Sequence, residues 1–565
     1  MSESFQTVLV KDDRLNCKSS INYAVYKGGS NVTYSDVQAI SATPNSVVIN
    51  AIVPSEQTII DRRVDWSTLL QFRLQYSNTV IGQSVYQYGL TDALSAYPLH
   101  STVTTMSATI NNNTVNQNMD DVLQPIIRML EKENAQKWSS YTPTMPDNFL
   151  NYTDCVGSVC NPLGAYNNAV SSNGYHPRGA FQLVDLNLTG YGNGIDYLGH
   201  ATSTTQTVYV SVQLTEPLML SPFIFAHLRQ NSQGFYGVQN LNFRLLLNPN
   251  ARLWRTAQAY NAPVVTIDAL QNCKFTFCYL TPHPDGAFMS AKNTVGWYEM
   301  PRYLTTSIGA IPAGGSILAT AQTLQLNQVP DKLIIFARRY GTQTTTKSSD
   351  SFIPIKNISI NWNNQSGILS TANVQQLWEM SREAGIDQSY LEWTGRANVY
   401  NSPSQQAGAQ WTPLVGGIVA LDFAKHINIT ESFYAPGSLG TFQLQINVTL
   451  INQDPANAVP ADQYQLVVIT LNSGVMCLER GTCSTYSGIL TKQDVLNASA
   501  QRPYYHSDVE RLVGGAMLDN LKSVVGTALL KEGGSVSGGS VSGGSVSGGS
   551  VSGGARQAKL SSRLI

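Results

Sequence analysis

The stretch Ile59-Ile-Asp-Arg-Arg-Val-Asp-Trp-Ser-Thr-Leu-Leu-Gln-Phe-Arg-Leu-Gln-Tyr76 decides the fold class. Ile60, Val64, Trp66, Leu70, Phe72, Leu74 and Tyr76 fall on even positions, while Asp61, Arg63, Asp65, Ser67, Gln71, Arg73 and Gln75 fall on odd ones. Side chains of an extended chain point alternately to opposite faces. A period of two therefore predicts one long strand, apolar on its inner face and wet on its outer face. The same alternation returns in Val208, Val210, Val212 and Leu214. It recurs in Phe442, Leu444, Ile446, Val448 and Leu450, with Gln443, Gln445, Asn447 and Thr449 between. Leu333-Ile-Ile-Phe336 and Leu466-Val-Val-Ile469 are apolar without alternation and predict strands covered on both faces, as does the β-rich segment Phe275–Leu280.

Helical spacing is rare. Leu123, Ile126, Ile127 and Leu130 follow Asn118, with Asp120 and Asp121 suited to the positive N-terminal end of a helix. Pro125 fits that helix only in its first turn. A second helix is expected from Ser370 as N-cap, through Val374, Leu377, Trp378 and Ser381, to a stop at Gly385.

A chain of 565 residues exceeds one ordinary core and suits two domains of about 200 to 250 residues each. Thr281-Pro-His-Pro-Asp-Gly286 divides them, because two prolines and a glycine cannot continue a central strand. The expected order is an N-terminal arm (1–45), a first sandwich (46–282), a second (283–500), an amphipathic helical region (501–532) and a flexible tail (533–565). Long Gly-, Asn- and Pro-rich loops at 141–180, 191–203 and 400–410 read as insertions at the sandwich ends.

Charged residues make up 13 % of the chain, about half of what is typical, and 35 basic against 36 acidic residues leave a net charge of −1. Such a surface has no global attraction for nucleic acid or acidic membranes, and little repulsion against self-association. Met1–Asp13 lacks the apolar run of an ordinary secretory signal, and no stretch reaches the 18 or so apolar residues of a membrane span. The seven cysteines are odd in number. Cys273 and Cys278 would face opposite sides of one strand, and Cys155 and Cys160 flank a glycine-containing loop but lack the CxxC spacing of a zinc site. Reduced thiols made in a cytosol are the expectation.

No GxSxG elbow, Walker loop, HExxH helix or paired Cys/His zinc motif occurs, and the seven histidines are widely separated. No catalytic, metal or cofactor-binding residue is therefore assigned, and no cofactor is expected. Gly190, Gly192 and Gly194 read as a turn, since no helix follows them. Asp120 and Asp121 are adequately explained as helix-end charges, and Glu131 and Glu133 as solvent-face charges.

The tail carries two further signals. Gly533–Gly554 is a Gly-Gly-Ser-Val-Ser repeat, a flexible tether, and it leads to a small basic tip. Arg556, Lys559 and Arg563 of that tip are candidates for contact with genome phosphates or an inner membrane. Leu512-Val-Gly-Gly515-Ala516 resembles the hydrophobic-x-Gly-Gly-x sites cut by maturation proteases of adenovirus-like viruses. Val551-Ser-Gly-Gly554-Ala555 is a looser relative, so Gly515, Ala516, Gly554 and Ala555 mark candidate cleavage sites.

Across residues 46 to 490 the order of features resembles the double-jelly-roll major capsid proteins of tailless icosahedral DNA viruses: adenovirus hexon, virophage and polinton-like relatives. Ile59–Tyr76 is followed by Tyr97-Pro-Leu-His-Ser101, a strand, the Asn111-Asn-Asn113 turn and the helix containing Leu130. The second half repeats the scheme in Pro330–Arg339, Ile358–Trp362, the helix 370–384, Tyr434-Ala-Pro-Gly-Ser-Leu-Gly440 and the strands to Asn472. The resemblance implies an all-β fold of two tandem jelly-roll β-sandwiches with a few short helices and a flexible C-terminal tail.

In function it implies a structural virion protein, made in the host cytoplasm, that is not an enzyme and takes no small-molecule substrate. It would trimerise into pseudo-hexameric capsomers of an icosahedral capsid and meet neighbouring capsomers and penton or minor capsid proteins. Loops 141–180 and 385–410 would supply the contacts, with Trp393 and Trp411 as interface anchors. The competing expectation is a viral attachment or lectin-like β-sandwich whose loops hold carbohydrate. A third is a glycosidase with two facing carboxylates.

Overall fold

Ile59–Tyr76 is a single strand in the computed structural model, and every even-numbered residue from Ile60 to Tyr76 is buried. Two polar residues interrupt that buried series. Thr68 donates its hydroxyl to the Gln271 carbonyl at 3.0 Å; Arg62 donates Nε to the Pro222 carbonyl at 2.8 Å and Nη2 to the Gly296 carbonyl at 3.2 Å. Buried polar groups are tolerated when hydrogen-bonded, so the alternation holds through both. The structure describes residues 6–10, 23–27, 31–77, 79–86, 92–130, 138, 141–148, 185–187, 194–196, 200–223, 234–248, 252–256, 263–281, 292–305, 308–339, 345–399, 410–431, 433–453, 459–460, 463–479, 481–488 and 490–497.

Around this strand lies a five-stranded antiparallel sheet in the order Asp185–Asn187, Gln206–Pro217, Ile59–Tyr76, Val264–Thr281, Asn31–Gln38. A second sheet runs Ser41–Thr43, Ser46–Ile52, Asn240–Leu247, Val103–Ile110, Asn113–Gln117. Apart from the hairpin pairs 41–43/46–52 and 103–110/113–117 and the edge pair 185–187/206–217, neighbours in space are distant in sequence, as in a jelly roll and unlike a meander. Asn31–Gln38 and Ser41–Thr43, which the sequence groups with an N-terminal arm, are members of these sheets. The shared interior is aromatic: Phe243 meets Phe275 at 5.0 Å between ring centroids and Phe223 at 5.3 Å.

The second half repeats the plan. Its larger sheet runs Lys292–Glu299, Tyr464–Glu479, Lys332–Arg339, Phe352–Ile353, with Arg302–Thr305 and Thr482–Ser487 also on Tyr464–Glu479 and Val419–Asp422 also on Lys332–Arg339. The smaller runs Ser316–Thr320, Leu439–Ile451, Ile355–Trp362, Gln365–Ile368, with Leu324–Gln328 also on Leu439–Ile451.

The two unalternating apolar runs explain how the halves are joined. Leu333, Ile335 and Ala337 point into the core of the second sandwich, with Leu466 and Val468 from the neighbouring strand. Ile334, Phe336, Val467 and Ile469 point the other way, into the core that contains Trp66, Phe72 and Phe243. The sheet is apolar on both sides because both sides are interior.

Helices differ from expectation in two details. Met119–Met129 keeps Pro125 in its middle, where the ring removes the hydrogen bond to the Asp121 carbonyl. Burial of Val122, Leu123, Ile126 and Ile127 holds the helix together despite that loss. The later helix is Val374–Glu383, and its N-cap is Asn373, not Ser370. Asn373 Oδ1 accepts from the Gln376 amide at 2.8 Å, and Gln376 Oε1 accepts from the Asn373 amide at 3.0 Å, a capping box. Ser370 sits in the preceding turn, its amide donating to the Gly367 carbonyl at 3.1 Å. The helix does end before Gly385, whose φ is +105°.

Cys273, Cys278, Cys477 and Cys483 are buried free thiols. Cys273 Sγ accepts from the Trp66 indole at 3.3 Å on the inner face of its strand, while Cys278 meets exposed Tyr34 on the outer face. Cys155 and Cys160, and most of the loops 141–180, 191–203 and 400–410, lie outside the described residues. Among the described residues no helix is long and apolar enough to cross a membrane.

Candidate functional site

The polar chemistry of the described residues concentrates where the two sandwiches meet, and the helix Met119–Met129 organises it. Asp121, Gln124 and Arg128 are spaced three and four apart, so they share one helix face. Asp121, 2 % exposed, receives Arg302 Nη1 and Arg338 Nη2 from strands of the second sandwich. Gln124 Nε2 donates to Asp350 Oδ2 at 3.0 Å. Arg128 Nη1 pairs with Glu392 Oε1 at 2.6 Å, Nη2 donates to the Asp147 carbonyl at 2.9 Å, and the guanidinium lies 5.6 Å from the Phe352 ring centroid.

Beside the helix, Arg255 and Arg252 both reach Asp350, at 2.9 and 3.3 Å. Asp147 Oδ2 accepts from the Asp350 amide at 2.9 Å. Burial depresses the Arg338 guanidinium below its usual range, with the nearby Asp120 carboxylate opposing that. Each buried charge here has an opposite partner, the condition under which burial of ions is tolerated.

A second, uncharged fastening lies at the Asn111-Asn-Asn113 turn. Asn111 takes the left-handed φ of +53° that a two-residue hairpin connection requires. Asn112 Oδ1 accepts from the Cys483 amide at 2.8 Å, and Asn113 Nδ2 donates to Thr485 Oγ1 at 3.0 Å. The edge strand of one sandwich is thereby clipped to an edge strand of the other.

Inside the first sandwich His100 and Glu216 form a fully buried pair, with Nδ1 2.6 Å from Oε2. His100 Nε2 accepts from the Met219 amide at 3.2 Å, so the proton of a neutral imidazole sits on Nδ1 and is donated to Glu216. Glu216 also accepts from the amides of Leu99 and His100 and from Thr142 Oγ1, at 2.9, 3.0 and 2.9 Å. With four donors on it, the carboxylate is a structural tie for the short helix Pro98–Thr102. Two cavities flank the junction, one beside Phe336 and Arg339, the other beside His100 and Arg255; each measures about 20 Å³, room for a water molecule and not for a substrate.

Trp393, expected as an interface anchor, is 1 % exposed, with its indole Nε1 donating to the Ile418 carbonyl at 3.1 Å. It is a core residue of its own sandwich, and that expectation is corrected. Trp411 lies on Gln410–Pro413, paired with Arg396–Val399. Gly515, Ala516, Gly554, Ala555, Arg556, Lys559 and Arg563 lie outside the described residues, as do Gly190 and Gly192. Gly194 is in a turn with φ +80°, ahead of a bridge between Ile195 and Ala201. Asp121 does more than complement a helix end. Its ion pairs were foreshadowed only by the polar residues at 120, 121, 124 and 128 on an otherwise apolar helix.

Two family models match in tandem along the chain. The Sputnik virophage major capsid protein 1st domain matches residues 3–280, and the major capsid protein V20 C-terminal domain matches residues 300–474. The chain belongs to the virophage major capsid proteins. A protein of Sputnik virophage described as capsid protein V20 is 27 % identical over 543 residues, covering 92 % of this chain and 86 % of that protein. The cryo-EM structure of the Sputnik virophage superposes with a TM-score of 0.76 at 25 % identity, over 91 % of this chain and all of the other. The mavirus major capsid protein shares the fold, with a TM-score of 0.67 at 14 % identity, over 88 % of this chain and 99 % of the other. This virophage capsid protein is thus a double jelly roll that builds a virion shell.

Proposed function

We propose that three copies of this chain associate into a capsomer of pseudo-hexagonal outline, and that such capsomers tile an icosahedral shell. The observation that carries the reading is the shared apolar sheet, with Ile334 and Phe336 in one core and Leu333 and Ile335 in the other. A continuous interior makes the two sandwiches one rigid block, and three two-barrel blocks around an axis present six similar edges. Weak charge favours such packing, since copies do not repel one another.

The chain's work is shell building, with no reaction of its own; its likeness to capsid proteins over nine-tenths of its length supports this. The boundary between the jelly rolls lies at 282/283, a reading supported by the end of a long strand at Thr281. Synthesis takes place in the host cytoplasm, and capsomers meet penton or minor capsid proteins at the vertices. The basic tip at Arg556, Lys559 and Arg563 touches genome or inner membrane, and the tail is trimmed after Gly515 or Gly554 during maturation.

Analytical ultracentrifugation of the purified chain, with negative-stain imaging, tests the capsomer. The expected species has three times the 61.4 kDa of one chain and a hexagonal outline. A monomer that binds carbohydrate would overturn the reading in favour of an attachment protein. Intact mass of tail peptides from mature particles tests trimming, and an untrimmed Ile565 terminus rejects it.

A further inference from the structure

The two jelly rolls carry the same parts in the same order. In the first, Asn113–Gln117 leads into the helix Met119–Met129, and the large sheet holds Gln206–Pro217, Ile59–Tyr76 and Val264–Thr281 side by side. In the second, Gln365–Ile368 leads to the helix Val374–Glu383, and Val419–Asp422, Lys332–Arg339 and Tyr464–Glu479 take the same places in the large sheet. Within one chain the first helix meets the outer face of the second large sheet, where Arg338 holds Asp121, and Arg128 reaches on to Glu392. The matching helix of the second jelly roll and the matching sheet face of the first both present exposed side chains.

The helices correspond residue by residue. Buried Leu377, Ser381 and Ala384 fall where Leu123, Ile127 and Leu130 fall, and Ala384 and Leu130 are the two C-caps. That register puts Arg382 in the place of Arg128 and Trp378 in the place of Gln124. Arg382 is exposed, with its guanidinium 5.1 Å from the centroid of the Trp378 ring. Trp378 in turn meets Tyr390 edge to face at 5.4 Å, and Tyr390 and Leu391 are 41 % and 56 % exposed. Tryptophan, tyrosine and arginine dominate the centres of protein interfaces. Glu379 shares the Arg382 face of the helix and accepts from Gln375 Nε2 at 3.0 Å.

The sheet has a counterpart of Arg338. Arg338 lies opposite Gln465, the second residue of Tyr464–Glu479, and Arg73 lies opposite Thr266, the third residue of Val264–Thr281. Arg73 stands on the outer face, with Tyr209 directly opposite it on the other neighbouring strand and 40 % exposed. Asp268 pairs with Arg73 at 3.2 Å, and both side chains remain about a third exposed. An aromatic anchor with one charge of each sign beside it complements a face that carries Leu391, Arg382 and Glu379.

We infer that the helices Val374–Glu383 and Tyr390–Thr394 of one copy dock on the outer face of the Ile59–Tyr76 sheet of the next copy, around Arg73 and Tyr209, repeating between chains the contact that Met119–Met129 makes within one. This rests on the three-copy reading and names the two surfaces that join. In a ring of six jelly rolls at similar places, a first barrel meets a second either inside a chain or across a boundary, and the same parts serve both. The two surfaces differ, so the contact is head-to-tail, the type that closes into a ring. The contact inside the chain is sealed by Ile334 and Phe336, whereas the matching outer face of Ile59–Tyr76 carries Ser67, Gln71 and Gln75, so a single copy stays wettable until it assembles.

Cross-linking of the full chain tests this. Copies carrying Leu391→Cys are mixed with copies carrying Tyr209→Cys, allowed to associate and treated with a short bis-maleimide. A covalent pair of twice the 61.4 kDa of one chain is expected from the mixture and from neither variant alone. In sedimentation, Arg382→Glu with Leu391→Asp should raise the concentration needed for association at least tenfold while leaving the thermal unfolding of single subunits unchanged, since both residues are exposed. Tyr209→Ser on the receiving sheet should weaken association in the same direction and covers the case in which the helix variant misfolds. Association without a mixed covalent pair would overturn the inference, as would association unaltered by the substitutions on both surfaces. Failure of the parent chain to associate at all would overturn the three-copy reading and the inference with it.

Discussion

Asn112 Oδ1 accepts a hydrogen bond from the backbone amide of Cys483 at 2.8 Å, joining residues that lie 371 apart in sequence and belong to different jelly rolls. The bond seats the tip of one barrel's hairpin on an edge strand of the other, and Asn113 repeats the contact at Thr485. Two edge strands of different jelly rolls are thus tied together by side-chain hydrogen bonds at one end. Asn112→Ala should cost about 1 kcal/mol of stability, the net worth of one neutral hydrogen bond, and Asn112→Ala with Asn113→Ala about 2 kcal/mol. Urea denaturation with an unchanged slope measures both. No shift of the midpoint in the double variant would show that the clip is incidental.

The neighbouring carboxylates Asp120 and Asp121 separate exposed from buried charge. Asp121 is buried between Arg302 and Arg338, whereas the Asp120 side chain is 51 % exposed and stands 3.6 and 3.7 Å from Arg338 and Arg252. Removing one partner of a buried pair strands the other, so Asp121→Ala should destabilise by about 3 to 5 kcal/mol. Asp120→Ala should cost less than about 1 kcal/mol. Equal losses in thermal or urea unfolding would contradict the geometry.

Gly417 has no room for a side chain. A Cβ there would stand 2.5 to 2.6 Å from the indole ring of Trp393, which is fixed by its bond to Ile418. Gly417→Ala must push the ring off its seat, with an expected cost of about 1 to 3 kcal/mol, the range for overpacked cores. Intrinsic fluorescence should shift to the red as the indole meets water. A variant with native stability and spectrum would show that the ring has slack.

Most of the architecture was legible in local pattern. Ile60 to Tyr76 and Phe442 to Leu450 show their burial directly, because a half-buried strand writes its two environments into alternate residues. Leu333–Phe336 announced a sheet interior on both faces, but not that the second face would be the other jelly roll, since periodicity reports burial and never the partner. The junction was less legible. Asp121 joins residues 302 and 338, Arg128 joins residue 392, and Asn112 joins residue 483. No window of sequence contains both ends of such a contact. Trp393 misled for a related reason: a tryptophan near glycines fits an interface and a core equally until Gly417 and Ile418 are seen around it. Ser370 lost the cap to Asn373 because only Asn373 has a glutamine three residues on, a capping-box signal that was present in the sequence.

Asp331 gives the fold a dependence on pH whose sign is opposite to that of an ordinary salt bridge. Burial pushes its carboxyl up to about 6, and Asp422 adds to the rise, while the hydrogen bonds from Ser473 and the charge of Lys332 act against it. Tyr298, raised in turn by burial and by Asp331, faces it from Lys292–Glu299. A carboxyl with a higher pKa folded than unfolded binds protons more tightly in the native state, so stability grows as pH falls through about 6 and levels off near 4, the usual unfolded value. At neutral pH the buried carboxylate costs up to about 3 kcal/mol on this argument. Asp331→Asn removes the charge and keeps an oxygen for the Ser473 amide, 2.6 Å away. The variant should therefore be more stable than the parent at pH 7.5, with the gain shrinking towards zero by pH 4.5. Thermal melts across that range decide it: a constant difference, or one that widens on acidification, would show that Asp331 is not the group responsible.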